Sequence, residues 1–178
     1  MRRTAELGLF LALALILSYV ESLIPFSFGI PGIKLGLPNL IVLLLLYEMP
    51  VDGQEKGKNL YLAKGAREAL LVNGLRIILS GFLFSNLYAI LYALAGAAFS
   101  FIAMHIGKRI GRFSMLGVSI LGGVFHNIGQ ILVAMLVVET FAVVYYAPFL
   151  IVAGTVTGAL LGFVGIQILP YLRRENRG

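Results

Sequence analysis

The chain is short of charge and of the side chains that most often carry metal or nucleophilic chemistry. No cysteine is present, which excludes disulfides, a thiolate nucleophile and cysteine-held metal. The two histidines, His105 and His126, stand apart in the sequence, a poor basis for structural zinc. Asp52 is the single aspartate. The paired aspartate-rich clusters that hold magnesium against a diphosphate in prenyl-chain synthases need two carboxylates each, so a prenyltransferase active site is missing. There is no G-x-x-x-x-G-K-[ST] loop, and the chain cannot drive transport with ATP by itself. No cofactor or metal is expected. Only 12% of the 178 residues are charged, about half the share usual in soluble domains. The hydrophobic share is 60% and the mean hydropathy +0.96. Together these predict an all-α integral membrane protein with one domain over residues 1–178. The formal charge of +6 is spread as punctuation between apolar runs, not as a patch interleaved with aromatics, which argues against nucleic acid.

Six apolar stretches predict a six-helix transmembrane bundle, with helices at about 5–24, 38–48, 66–85, 87–106, 115–138 and 147–169. The run after Met1-Arg2-Arg3 is too long for a signal-peptide core and is followed by no small-x-small site, so it reads as a retained helix. Residues 25–38 hold three prolines and three glycines. They predict an apolar, irregular loop packed over the bundle, since such backbone is tolerated near membrane depth only where protein or a cavity covers it. The stretch at about 48–66 is the one polar loop, with a Val-Asp-Gly-Gln turn. The last helix is expected to stop at Pro170. Its Gly154, Gly158 and Gly162 recur every fourth residue and predict close helix packing. Six spans put twelve of the fourteen Lys and Arg residues on one side, so the positive-inside rule places both termini in the cytoplasm.

The residues with potential chemistry lie in or near the apolar runs. Met115 to Val138 is a run of 24 residues without a charge, and within it lie His126, Asn127 and Gln130. Polar groups at that depth need partners. Ser119, Gly122, Gly123, His126, Gln130 and Ala134 share one helix face. That face suits either a polar contact between helices or one wall of a ligand chamber. Arg76 lies about 15 Å into the third helix and His126 about 17 Å into the fifth, at 1.5 Å per residue. Arg76 either faces the bundle or snorkels to the surface. Lys34 is the one charge of the loop, suited to a ligand or a lipid headgroup, and Asn39 either caps a helix or offers its amide to a ligand. Convergence of Lys34, Arg76 and His126, with Asn39, Asn127 and Gln130 as hydrogen-bonding partners, would suit an anionic or strongly polar group. Glu21 is placed to pair with Arg76 or Lys34. No acidic residue has an evident reason to orient His126, which disfavours a serine hydrolase. Gly8 and Ala12 form a flat strip on the first helix, for a partner or for packing within the bundle.

The loop Gly32-Ile33-Lys34-Leu35-Gly36-Leu37-Pro38-Asn39, Arg76, and Gly122-Gly123-Val124-Phe125-His126-Asn127-Ile128-Gly129-Gln130 resemble the Gx transporter family, often labelled heptaprenyl diphosphate synthase component I. That family is similar to the substrate-capture (S) components of energy-coupling factor (ECF) transporters. The resemblance implies a non-enzymatic, multi-pass protein of the prokaryotic cell membrane that captures a small anionic or amphipathic compound. The compound would be vitamin-like or related to isoprenoids or quinones. The implied partners are a transmembrane coupling subunit and ATPase subunits. Lys34, Asn39, Arg76, His126, Asn127, Gln130 and Glu21 would then be the substrate-binding set, and Gly8 with Ala12 a loose match to the alanine-rich docking strip of S components. The label itself leaves a second expectation: a non-catalytic membrane accessory subunit of a polyprenyl diphosphate synthase in quinone biosynthesis.

Overall fold

The computed structural model describes residues 2–24, 34–48 and 55–175, and side chains over 2–24, 34–48 and 64–173. The loop expected over residues 25–33, the Val-Asp-Gly-Gln turn and the basic residues Arg174 and Arg177 lie outside the residues or side chains described. The described residues form six α-helices: α1 (Arg2–Leu23), α2 (Asn39–Glu48), α3 (Glu55–Phe84), α4 (Leu87–Ile110), α5 (Met115–Val138) and α6 (Ala147–Glu175). A short 3-10 helix, Phe141–Tyr146, leads into α6. The chain is therefore all-helical over its described part, and its apolar helices make it a multi-pass membrane protein.

Among the described residues four segments are long and apolar enough to cross a membrane: α1, α4, α5 and the Phe141–Arg173 run containing α6. Their outward faces carry large apolar side chains, such as Leu9, Ile16, Ile102, Ile106, Leu136 and Val152. A surface of that kind is matched to lipid. Of the two other helices, α2 falls where the sequence predicts a short helix, at about 38–48, while α3 is longer than the expected 66–85. With ten residues, α2 covers about 15 Å, half of a bilayer's hydrocarbon core. It is apolar all round, and Leu40 to Leu46 are at most 8% exposed, so it is the bundle's central post, touching α1, α3, α4, α5 and α6. Helix α3 runs for 30 residues and starts at Glu55, inside the stretch expected to be a polar loop. Glu, Lys, Leu and Ala between Glu55 and Arg67 are good helix formers, and their propensity outweighs Gly57 and Gly65.

Helix α6 also departs from expectation. It continues through Pro170 to Glu175, because proline so near a helix end forfeits one hydrogen bond on an exposed turn while the following residues still pack. Helix α4 runs on to Ile110 and ends at Gly111, whose φ of 73° is the left-handed conformation open to glycine. Ser114 then caps α5 by accepting from Gly117 N at 3.2 Å.

Glycine brings α5 close to both neighbours. A Cβ on Gly158 would lie 2.7 Å from Ile120 Cα, and one on Gly129 2.6 Å from the Ala95 carbonyl oxygen. Only glycine permits backbones to meet at such range. Helix α5, with its polar residues, is thus pressed between α4 and α6. At the C-terminal end of α2, Arg3 of α1 bridges Glu6 at 2.9 Å, Glu48 at 3.0 Å and Glu68 of α3. Lys108 of α4 donates to the Leu46 carbonyl, and Arg173 of α6 donates to the Tyr47 carbonyl at 2.7 Å. Cations thereby satisfy the free carbonyls at that helix end. The opposite end of α2 holds the candidate site.

Candidate functional site

Residues Lys34 to Pro38 enter α2 through a tight turn. Asn39, Leu40 and Ile41 donate their backbone N–H groups to the carbonyls of Gly36, Leu37 and Pro38 at 2.9, 3.2 and 3.0 Å, so the first amides of the helix are satisfied locally. Gly36 has a φ of 85°, a conformation that costs other residues dearly. Two helices strap this turn to the bundle. Glu21, near the end of α1, accepts from the backbone N–H groups of Gly36 and, at 3.1 Å, Leu37. Gln130 of α5 holds the other side. In the orientation that satisfies all its neighbours, its amide donates to the Lys34 carbonyl at 3.0 Å and accepts from the Lys34 N–H at 3.2 Å and from His126 Nε2 at 3.1 Å.

That orientation fixes the histidine. With Nε2 carrying the proton toward Gln130, Nδ1 is left as the other polar atom of the ring; it makes no well-aligned hydrogen bond and lies beside the Gly96 backbone. The ring is wedged between two glycines. A Cβ on Gly36 would meet His126 Cδ2 at 2.9 Å and Asn39 Nδ2 at 2.8 Å, and a Cβ on Gly96 of α4 would meet His126 Cε1 at 2.7 Å. Asn39 Nδ2 is likewise buried and unpartnered. Two buried polar atoms without a well-aligned hydrogen bond, one of them on the imidazole itself, therefore belong to the cluster at this turn.

Arg76 completes the cluster from α3. Its guanidinium donates to Asn73 Oδ1 at 2.6 and 3.2 Å and reaches Ser18 Oγ of α1 at 3.4 Å. It is 4% exposed, so it faces the bundle and does not snorkel. Its charge acts on Glu21 through space, while the hydrogen bonds of Glu21 go to the turn; the pairing of Glu21 with Arg76 or Lys34 is thus a field effect and not an ion pair within 4 Å among the described residues. Lys34 donates from Nζ to Ser85 Oγ at 3.1 Å. Burial holds its ammonium below the ordinary lysine range, an effect that Glu21 opposes.

The structure therefore gathers Glu21, Lys34, Asn39, Arg76, His126 and Gln130 about one turn. Asn127 is turned elsewhere: its amide donates to the Leu150 carbonyl at 2.6 Å and ties α5 to α6. One residue along a helix is a rotation of about 100°, so Asn127 cannot share the face of His126. Gly8 and Ala12 lie on the exposed face of α1, and a Cβ on Gly8 would meet nothing within 4 Å. Ser18 and Gly96 belong to the cluster without having been singled out. Ser18 stands three residues before Glu21, hence on the same helix face, and Gly96 lies within a patch of small residues whose use only the fold reveals.

A family model described as heptaprenyl diphosphate synthase component I matches residues 10–54 and 59–168. The chain belongs to this family. No curated protein and no solved structure matches it. The component I match spans every residue of the cluster, from Ser18 to Gln130. It also covers α2 and the glycine contacts that hold α5 in place, so the family pattern and the site share the same part of the chain.

Proposed function

We propose that this component I family member is the membrane-embedded substrate-binding subunit of an ECF-type importer. It is non-enzymatic and captures a small anionic or amphipathic compound, vitamin-like or related to isoprenoids or quinones. The observation that carries this reading is the buried polar cluster under the Lys34–Pro38 turn. Arg76 and Lys34 set two positive charges against the one of Glu21, so an anion would balance the site. Asn39 Nδ2 offers a free donor, which is what a ligand with acceptor groups would use. The turn that covers them is held by hydrogen bonds from separate helices, so it can release without unfolding either.

In this reading both termini are cytoplasmic, the Arg3 and Lys108 end faces the cytoplasm, and the protein resides in the prokaryotic cell membrane. A transmembrane coupling subunit docks on α1 where Gly8 and Ala12 are exposed, and ATPase subunits supply the energy. The family's description favours a second reading, a non-catalytic accessory subunit of a polyprenyl diphosphate synthase. Gentle detergent purification from the host, with mass spectrometry of co-purifying proteins and small molecules, separates the two. Recovery of a coupling subunit and ATPases supports the importer. Recovery of a prenyl synthase without them overturns it.

A further inference from the structure

A second feature lies on the outer face, away from the polar cluster. Helices α4 and α5 enclose an apolar groove of about 370 Å³, lined by Ile102, Ala103, Ile106, Phe113, Leu121 and Phe125 among others. On α4 it runs from Phe99 to Ile110, about 16 Å at the helical rise of 1.5 Å per residue. That is close to one leaflet, half of the roughly 30 Å hydrocarbon core. Phe99 and Phe125, near the middle of the two helices, line one end of the groove, and Ile110 and Phe113 line the other, where the chain turns through Lys108, Arg109, Gly111 and Arg112.

The three cations of that turn are not equivalent. Lys108 points inward, donating to the Leu46 carbonyl and lying 4.7 Å from the centre of the Tyr47 ring. Arg109 and Arg112 are exposed, and neither has a hydrogen bond or ion pair among the described residues. Arg109 follows Ile106 by three positions, so on the helix it sits directly above a groove residue, and Arg112 immediately precedes Phe113. Two uncompensated guanidiniums thus crown a single apolar channel one leaflet deep. Guanidinium is the side chain best matched to phosphate oxygens, and basic pockets between membrane helices are known lipid-headgroup sites.

We propose that this groove is a binding site for an anionic phospholipid of the bilayer, with one acyl chain between α4 and α5 and the phosphate on Arg109 and Arg112. Among the described residues, two exposed guanidiniums beside an apolar groove distinguish this site from Arg67, an exposed arginine that lines no part of the groove. The site is independent of the importer reading and of the polar cluster.

The test is native mass spectrometry of delipidated, detergent-solubilised full-length protein titrated with phosphatidylglycerol and with phosphatidylcholine of identical chains. The wild type retains phosphatidylglycerol in preference. Arg109→Gln combined with Arg112→Gln lowers that retention by roughly 25-fold, about fivefold for each arginine near the surface, while Arg67→Gln, an exposed arginine elsewhere, leaves it unchanged. Ala103→Phe fills the groove and lowers retention of both lipids. Equal retention of the two lipids by the wild type overturns the proposal, as does a loss in Arg67→Gln equal to that in the double variant. The arginine variants lie on the exposed surface and retain the fold, so the outcome does not depend on how Ala103→Phe packs.

Discussion

Replacing Gly36 by alanine tests whether the Lys34–Pro38 turn is a separable cover over the polar cluster. The φ of 85° costs a residue with a Cβ about 1–2 kcal/mol. The added Cβ also falls 2.8 Å from Asn39 Nδ2 and 2.9 Å from His126 Cδ2, inside normal contact, and the imidazole is backed by Gly96, where a Cβ would lie 2.7 Å from His126 Cε1. The closed turn of Gly36→Ala is therefore about 2 kcal/mol or more less stable, which corresponds to a roughly 30-fold increase in the open population. The hydrogen bonds to Glu21 and Gln130 hold the turn and not the helices, so the cost is local. The absence of native cysteine makes the assay direct. In a Leu35→Cys background, maleimide labelling in mild detergent should accelerate by an order of magnitude or more on adding Gly36→Ala, with Tm lowered by only a few degrees. Equal labelling rates would refute the reasoning, because the turn would then be fixed by something other than the contacts at Gly36. So would a cooperative loss of the whole fold.

Five further changes separate the cover from the scaffold and from the outer face of α1. Glu21→Gln removes the anionic acceptor shared by Gly36 and Leu37; labelling at Leu35→Cys should rise, since bonds to a charged group contribute about 1.5–3 kcal/mol. Asn127→Ala removes the bond to the Leu150 carbonyl and should lower stability by about 1–2 kcal/mol while leaving labelling at Leu35→Cys as it was. Arg3→Met leaves Glu48 and Glu68, 3% and 9% exposed, without their shared cation; a loss of about 3 kcal/mol should appear as a Tm lower by several degrees. Gly158→Val drives a side chain into Ile120 and should abolish the folded protein in size-exclusion chromatography. Gly8→Val meets open space and should keep its Tm, and on the importer proposal it should reduce only the co-purification of a coupling subunit.

Much of the helical layout is legible from the uncharged runs. The course of α5 from Met115 to Val138 is marked at both ends, by Ser114 as a cap and by Glu139 as the first charge. The glycine spacing of α6 announces close packing, and the partner that it meets is the Leu116–Gly123 stretch. What the pattern hides is tertiary. Nothing local distinguishes α2, ten leucine-rich residues, from a truncated span, and only its contacts on all sides show it to be a buried post. Propensity in Glu55–Lys64 extends α3 through residues that composition alone assigns to a wet loop, and packing carries α6 past Pro170. In the site, the shared face of His126 and Gln130 is readable from the four-residue spacing, whereas the 15 Å expected for Arg76 counts from about residue 66, and with α3 beginning at Glu55 Arg76 stands about 31 Å along its helix. The bonds of Glu21 to the turn are not readable, because a carboxylate near two cations looks like half of an ion pair. The loop backbone that claims it has no sequence signature.

The central claim is that the cluster beneath the Lys34–Pro38 turn is a ligand chamber, and the most direct measurement is re-binding of the compound released from the host-purified protein. Calorimetric titration into the emptied wild type, Arg76→Ala and His126→Ala should show each variant at least about tenfold weaker, the effect of one lost charge-assisted hydrogen bond, with both variants still inserted in the membrane. Affinities equal to wild type in both would contradict the account.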